Sequence, residues 1–195
     1  MGIIKTALEI ALEKTEGVKS DKSSIDQFEA KQHGKRLANA FLAGEADGMV
    51  EELKKTPDAH RESVKQGIFD IMVSQITLPA GKDDEQRIEK AGKGLAAVID
   101  NKQFTVLYQH LLQIISRYLQ EVSQYEKAIH QQYAPKLRHK EEELSRRLGR
   151  DIHIDPFQDP EFIAFYNQQM NSLKGNYEPV IEQAREETRR MFFGE

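Results

Sequence analysis

A single apolar stripe in the second half of the chain constrains the fold more than any other sequence feature. Eight apolar or aromatic side chains recur there at alternating steps of four and three residues: Phe104, Tyr108, Leu111, Ile115, Tyr118, Val122, Tyr125 and Ile129. A second stripe with similar spacing follows: Ile163, Tyr166, Met170, Leu173, Tyr177, Val180 and Ala184. This spacing is typical of the seam between two packed helices. The two stripes predict long helices, at about residues 103–148 and 160–192, that pair as an antiparallel hairpin.

The register of this hairpin is predicted from the connection between its helices. Asp159-Pro160 provides a helix N-cap followed by a first-turn proline, so the second helix is expected to start there. If the helices mirror each other about the connection, Pro135 faces Gly175 and Pro179 lies at nearly the same height. Each interior proline removes one backbone hydrogen bond. The hairpin is therefore expected to bend at this level.

Shorter amphipathic segments precede the stripes. One helix is predicted at residues 4–16, with Gly17 ending it and a polar loop following. Ser24, with Gln27 three residues later, is a capping box that predicts the start of a second helix. Gly44 is expected to end that helix. The first part of the chain is therefore predicted to consist of short helices joined by loops.

Further start signals complete this helical pattern. Thr56-Pro57 predicts a helix whose middle is apolar nearly all round, and Asp83 or Asp84 predicts the start of another. The fold class that follows is all-α. A bundle of short helices is expected over residues 1–101. A long, antiparallel, coiled-coil-like helical hairpin is expected over residues 102–195, packed on the bundle at its base.

Composition narrows the classes of function. The chain has 195 residues and a formal net charge of −4, and it contains no cysteine. The absence of thiols excludes a disulfide framework, a thiol nucleophile and a thiolate metal site. The longest stretch without a charged side chain, residues 103–116, is shorter than the roughly 20 residues that a membrane-spanning helix needs. A cytoplasmic protein with no membrane partner is expected.

No catalytic motif is present. The sequence lacks an H-E-x-x-H pair, a glycine-rich phosphate loop and a G-x-S-x-G elbow, which predicts a protein that is not an enzyme and holds no cofactor. The segment Asp151–Asp155, with Asp159 nearby, places aspartates and a histidine at alternating positions, as a metal site would require. A polar turn with aspartate caps explains the same residues, and no metal ligand is assigned.

The proximal part of the first stripe predicts an interaction surface. Leu107, Leu112, Ile114 and Leu119 add a second apolar face, which is more than one partner helix can cover. Either the N-terminal helices or a second copy of the chain would cover it. The function favoured by these features is a scaffold or adaptor that binds another protein, or itself as a homodimer, through the hairpin. Tyr108, Leu112 and Leu119 are the candidate contact residues.

The distal part of the first helix suggests an alternative partner. Residues 136–150 contain six basic side chains against three glutamates. Arg146, Arg147 and Arg150 are the candidates for contacts to the phosphates of a nucleic acid. A solvated helix face with salt bridges between neighbouring turns explains the same pattern, and acidic residues follow directly from Asp151 onward.

Overall fold

The computed structural model describes residues 7–45 and 48–194, with side chains from residue 23 onward, and it is all-helical in these ranges. The described residues form six α-helices and one short 3₁₀ helix (Pro156–Gln158): α1 Ala7–Ala43, α2 Met49–Lys55, α3 Asp58–Val73, α4 Lys82–Val98, α5 Lys102–Leu148 and α6 Pro160–Phe193. No strand occurs in residues 7–45 or 48–194. The predicted all-α class is confirmed. None of the described helices is both long enough and apolar enough to span a bilayer.

The two long helices have the predicted bounds because local signals define their ends. α5 runs for 47 residues through Pro135 and ends before Gly149, whose φ of +65° is a backbone conformation that glycine adopts without strain. α6 runs for 34 residues through Pro179. Its first backbone donors include the N–H of Glu161, which binds the side chain of Asp159 at 3.1 Å. Asp159 is therefore the predicted N-cap.

α1 differs from the prediction for the first part of the chain. It is one continuous helix of 37 residues, so the break expected at Gly17 and the helix start expected at Ser24 are both wrong. The beginning of the helix predicted at residues 4–16 lies outside the described residues. An interior glycine costs a helix only about 1 kcal/mol relative to alanine, and no proline interrupts the segment. A single glycine is therefore insufficient to end this helix.

The chain divides into two compact units. Unit 1 comprises Met1–Ile76, Arg87–Phe104 and Arg189–Glu195. Unit 2 comprises Thr77–Gln86 and Thr105–Thr188. The domain boundary expected between residues 101 and 102 stays a prediction.

Unit 1 is organised by a close crossing of α1 and α3. A Cβ atom added at Gly34 would overlap the carbonyl oxygen of Val64, and one added at Gly67 would overlap the carbonyl oxygen of Lys31. Only glycine allows the two backbones to approach this closely. Phe69 of α3 is buried and stacks on the ring of Phe192, with 4.0 Å between the ring centroids. α3 thus supplies much of the core of this unit, as its apolar middle predicts.

Unit 2 pairs α5 with α6 in antiparallel order. The hydroxyl of Tyr133 donates to Asp159 at 2.9 Å, and the hydroxyl of Tyr166 donates to Glu126 at 2.8 Å. Further along, the rings of Tyr118 and Tyr177 meet with centroids 5.1 Å apart. Residue numbers rise on α6 as they fall on α5 through these three contacts. Coiled-coil geometry along the seam stays a prediction.

The predicted register of this pair is wrong. Pro135 lies near Tyr133, which contacts the start of α6, whereas Gly175 lies near Tyr177, which contacts Tyr118. These two levels are about 22 Å apart along α5, at 1.5 Å per residue. Pro135 and Gly175 therefore do not face each other.

The connection explains the shifted register because it folds back along the end of α5. We call residues 150–158 the returning segment. The backbone N–H of Ile152 donates to the hydroxyl of Ser145 at 3.0 Å, and the N–H of Ile154 donates to the carboxylate of Glu141 at 2.9 Å. α6 consequently begins beside Tyr133 and Lys140, and about the last two turns of α5 contact the returning segment instead.

Candidate functional site

Unit 2 contains a groove of about 800 Å³, which we call the α5–α6 groove. Its apolar and aromatic lining comes from both long helices and from the segment that precedes α4: Leu78, Tyr118, Val122, Tyr166, Met170 and Ile181. Its charged lining consists of Glu126, Lys174, Glu178, Glu182 and Arg185. Every lining residue belongs to unit 2.

Helical periodicity explains why one face of α6 lines the groove. Four-residue steps lead from Tyr166 through Met170, Lys174 and Glu178 to Glu182, so each side chain lies about one turn from the next and the row winds gradually around the helix, by about 40° per step. With Arg185 the lined face spans 19 residue steps, or about 28 Å. On α5 the lined face runs from Tyr118 to Glu126, about 12 Å. The groove therefore extends further along α6 than along α5.

The floor of the groove is continuous with the core of unit 2. Tyr118 and Met170 belong to its buried cluster, and Val122 packs against that cluster while half-buried. Methionine adapts its shape to different neighbours, and tyrosine offers a large apolar ring with a polar end. A floor of this composition accommodates apolar side chains of a bound molecule.

A hydrogen bond orients Tyr166 on the wall of the groove. Its hydroxyl donates to Oε1 of Glu126 at 2.8 Å. Burial, together with the neighbouring Glu126 carboxylate, raises the pKa of Tyr166 to about 12. The hydroxyl therefore remains a donor at neutral pH, and the second carboxylate oxygen of Glu126 is available to another donor.

The charges of the groove are only partly neutralised within the protein. Arg185 binds Glu182 with 2.6 Å between nitrogen and oxygen. Glu126, Lys174 and Glu178 form no ion pair with any of the residues that the structure describes. The rim thus presents two carboxylates and one ammonium group that have no partner of opposite charge in the part of the chain that the structure describes.

The segment before α4 is held in place by a side chain of that helix. Pro79 is buried, and the backbone N–H of Ala80 donates to Oδ2 of Asp84 at 2.8 Å. An acidic residue near a helix start that accepts from the preceding backbone is the arrangement of a capping box. α4 begins at Lys82, so Asp84, one of the two aspartates expected to cap this helix, lies in its first turn and not at the N-cap, where it fixes one end of the groove.

A second polar arrangement, which we call the Asp159 cluster, lies at the start of α6. Asp159 is only 6% exposed and accepts from the Tyr133 hydroxyl and from Lys140 Nζ, at 2.9 and 2.8 Å. Lys140 also binds Glu161, and Lys136 binds the same glutamate at 3.1 Å. Each charge of the cluster has a partner, so the cluster positions the start of α6 rather than offering a reactive group.

Ionisation of the Asp159 cluster is shifted towards the charged forms. Burial opposes the charge of Asp159, but hydrogen bonds from Lys140, Tyr133 and the N–H of Glu161 together lower its pKa. Hydrogen bonds from Lys140 and Lys136 likewise lower the pKa of Glu161. The same bonds to Asp159 and Glu161 raise the pKa of Lys140. Asp159, Glu161 and Lys140 are therefore charged at neutral pH.

A model of a family of unknown function, DUF6657, matches residues 50–190 of the chain. The chain belongs to this family. The matched region contains every residue of the α5–α6 groove and of the Asp159 cluster. No curated protein and no solved structure matches the chain.

The candidate contact residues that the sequence predicted lie outside the groove. Tyr108 is 5% exposed, and burial raises the pKa of its hydroxyl. Leu112 and Leu119 are half-buried, and Leu119 packs against the buried cluster of unit 2. The surface role predicted for these residues stays a prediction.

The predicted basic candidates are exposed at the end of α5. Arg146 forms a salt bridge of 3.5 Å with Glu142, four residues earlier, which is the predicted pairing between neighbouring turns. Arg147 and Arg150 are exposed and form no ion pair within the described part of the chain. All three predicted arginines are therefore exposed, and two of them have no carboxylate partner among the described residues.

The acidic segment considered as a metal site is a capped turn. Asp155 accepts from the N–H of Phe157 at 3.0 Å, and Asp159 is engaged in its own cluster. His153 lies 3.0 Å from Glu141, on the other side of the turn. Residues 7–45 and 48–194 contain no group of three or more potential ligands arranged to hold a metal ion.

Sequence reasoning missed the groove although it identified most of the residues on its floor. The apolar stripes contain four of these residues, and their spacing predicts packing in the seam between the helices: Tyr118, Val122, Tyr166 and Met170. Leu78 is about forty residues away from either stripe residue on α5, and no periodic signal connects it with them. The available hint was the break predicted at residues 78–81, because this non-helical segment supplies part of the lining.

Proposed function

We propose that this protein is a non-enzymatic helical scaffold that binds a protein partner through the α5–α6 groove. The observation that carries the proposal is the groove itself, which combines an apolar floor with a charged rim. Interfaces between proteins are typically apolar and rich in tyrosine and methionine at their centre and polar at their edge. The lining residues include no histidine, serine or cysteine, the side chains that most often form a nucleophile–base pair.

The proposal is tested by closing the groove without disturbing the core. Ala80 lines the groove and is exposed, so Ala80→Trp places an indole in the space that a partner would occupy. Ala164 is exposed on α6 outside the groove, and Ala164→Trp is the matched control. Circular dichroism should show the same helix content and melting behaviour for both variants.

The measurement is affinity purification of the three proteins from their native cells, followed by quantitative mass spectrometry. A protein retained by the wild type and by Ala164→Trp, and lost with Ala80→Trp, supports the proposal. A set of co-purified proteins that Ala80→Trp leaves unchanged contradicts it. Light scattering on the purified wild type and on Ala80→Trp tells whether the partner is a second copy of the chain.

The alternative function is a nucleic-acid-binding arm. Fewer of its basic side chains are free of carboxylate partners than the sequence suggests. Lys136, Lys140 and Arg146 are engaged by carboxylates, which leaves Arg138, Arg147 and Arg150 without an ion pair among the described residues. Phosphate contacts made by these arginines would produce affinity that falls steeply with salt. A filter-binding titration at two salt concentrations, with Arg147→Ala/Arg150→Ala as the variant, tests this alternative.

A further inference from the structure

The α5–α6 groove lies in a region of excess negative charge, which bears on the chemistry of its occupant. Its lining contains three glutamates and two basic residues, and one pair, Glu182 with Arg185, is mutually neutralised. Residues 162–188 carry four glutamates against one lysine and one arginine, and residues 77–86 carry three carboxylates against one lysine. The α6 side of the groove and the segment before α4 therefore favour a positively charged partner.

The free carboxylates are spaced along the groove. Glu126 lies beside Tyr166 near one end, and Glu178 lies twelve residues further along α6, about 18 Å away. Burial raises the pKa of Tyr118, and the nearby charge of Glu178 adds to that effect. A partner with cationic groups at both edges could engage the two glutamates at once.

The walls of the groove favour a helical occupant over an extended one. Both long walls are α-helices, whose backbone groups are bonded within the helix, and no strand edge exists in the described ranges. An extended peptide would leave its own N–H and C=O groups unpaired against such walls, whereas a helix satisfies them internally. The lined face of α6, about 28 Å long, equals the length of a helix of about 19 residues.

We propose that the occupant is an amphipathic helix whose apolar face enters the α5–α6 groove and whose flanks carry lysine or arginine opposite Glu126 and Glu178. This inference rests on the proposed function and specifies the chemistry of the partner. Apolar contacts with Tyr118, Val122 and Met170 would supply most of the affinity. The charges at the rim would select basic helices over acidic ones.

Two fluorescein-labelled peptides of 18 residues provide the probes. Both carry the same leucine face, and the polar positions are lysine in one and glutamate in the other. Fluorescence anisotropy should show that the wild type binds the lysine peptide at least about tenfold more tightly than the glutamate peptide. Equal affinity for the two peptides, or no binding of the lysine peptide at 100 µM protein, would overturn the inference.

Substitutions on the protein separate charge recognition from binding in the groove. Glu126→Gln/Glu178→Gln keeps an acceptor for Tyr166 and should weaken lysine-peptide binding at least about fivefold. Glu143→Gln/Asp151→Asn removes two exposed charges outside the groove and should leave binding unchanged. Ala80→Trp should abolish binding of the lysine peptide.

The outcomes distinguish the two proposals. If Ala80→Trp abolishes binding while Glu126→Gln/Glu178→Gln has no effect, the groove binds helices without selecting their charge, and only this inference fails. If Ala80→Trp leaves lysine-peptide binding intact, the peptide binds elsewhere, and the groove loses its support as the docking site. Equal weakening by both double variants would show attraction to the net charge of the protein, which also overturns the inference.

Discussion

The hydroxyl of Tyr133 donates a hydrogen bond of 2.9 Å to Asp159, which lies 26 residues later and caps the start of α6. This contact joins the interior of α5 to the first turn of α6. It places the start of α6 four turns before the end of α5, and every later contact between the two helices follows from that offset. The groove between Tyr118 and Tyr166 depends on the same register.

Removing the Tyr133 hydroxyl should destabilise the protein. Tyr133→Phe leaves a buried carboxylate with one hydrogen bond fewer, and the expected loss in the free energy of unfolding is about 1–2 kcal/mol. Urea denaturation followed by circular dichroism measures it. Tyr125 is 39% exposed on the same helix, so Tyr125→Phe is the control and should change stability by less than about 0.5 kcal/mol. Equal effects of both substitutions would contradict the structural role of the bond.

The Asp159 cluster should make stability depend on pH on the acid side. The pKa values of Asp159 and Glu161 are lowered from their ordinary values of 3.8 and 4.5. Carboxylates with a lowered pKa in the folded state stabilise the protein above their unfolded pKa, and this contribution disappears as the pH falls through the folded pKa. Stability should therefore decline as the pH falls below about 4.5.

One variant isolates the contribution of the Asp159 cluster to this pH dependence of stability. Lys140→Met removes the cation that binds both carboxylates, so it should destabilise the protein at pH 7. The difference from the wild type should shrink as the pH falls below about 4, because the carboxylates then become protonated. Urea midpoints measured between pH 3 and pH 7 provide the comparison. A difference that stays constant over this range would exclude the proposed coupling.

A side chain at either of the two glycines in the crossing of α1 and α3 should destabilise the protein. Gly34→Ala or Gly67→Ala places a methyl group against a backbone carbonyl, and the helices must separate to accept it. The expected loss is about 1–3 kcal/mol, larger than the gain in helix propensity. Gly175 lies in α6, and a Cβ added there would meet no atom within 4 Å, so Gly175→Ala should stabilise the protein by up to about 1 kcal/mol. Thermal denaturation distinguishes the two signs.

The register of α5 and α6 can be tested by cross-linking because the chain contains no cysteine. Glu126→Cys/Tyr166→Cys should react within the molecule with a short bis-maleimide, since the two native side chains are joined by a hydrogen bond. Pro135→Cys/Gly175→Cys represents the mirrored register and should not cross-link. Gel mobility after proteolysis between the sites reports the outcome. Cross-linking of the second pair alone would show that the observed register is incorrect.

The extent of the long helices was determined by the sequence itself. The stripes, the glycine after Leu148 and the Asp159-Pro160 pair predicted both helices to within about one residue of their bounds, because periodicity and capping are local properties. Local signals were less reliable in α1. Gly17 predicts a helix end there, although the free-energy cost of one glycine is too small to break a long helix.

The register and the groove were decided by tertiary structure alone. The returning segment is bound by Ser145 and Glu141, and the start of α6 is fixed by the bond between Tyr133 and Asp159. These contacts join residues that are 7 to 26 positions apart, and no periodic pattern encodes them. A two-helix stripe specifies which faces meet, but it leaves sliding along the helix axis undetermined. The apolar stripe therefore made a helix pair predictable, whereas specific polar contacts set its offset and left one flank open as the groove.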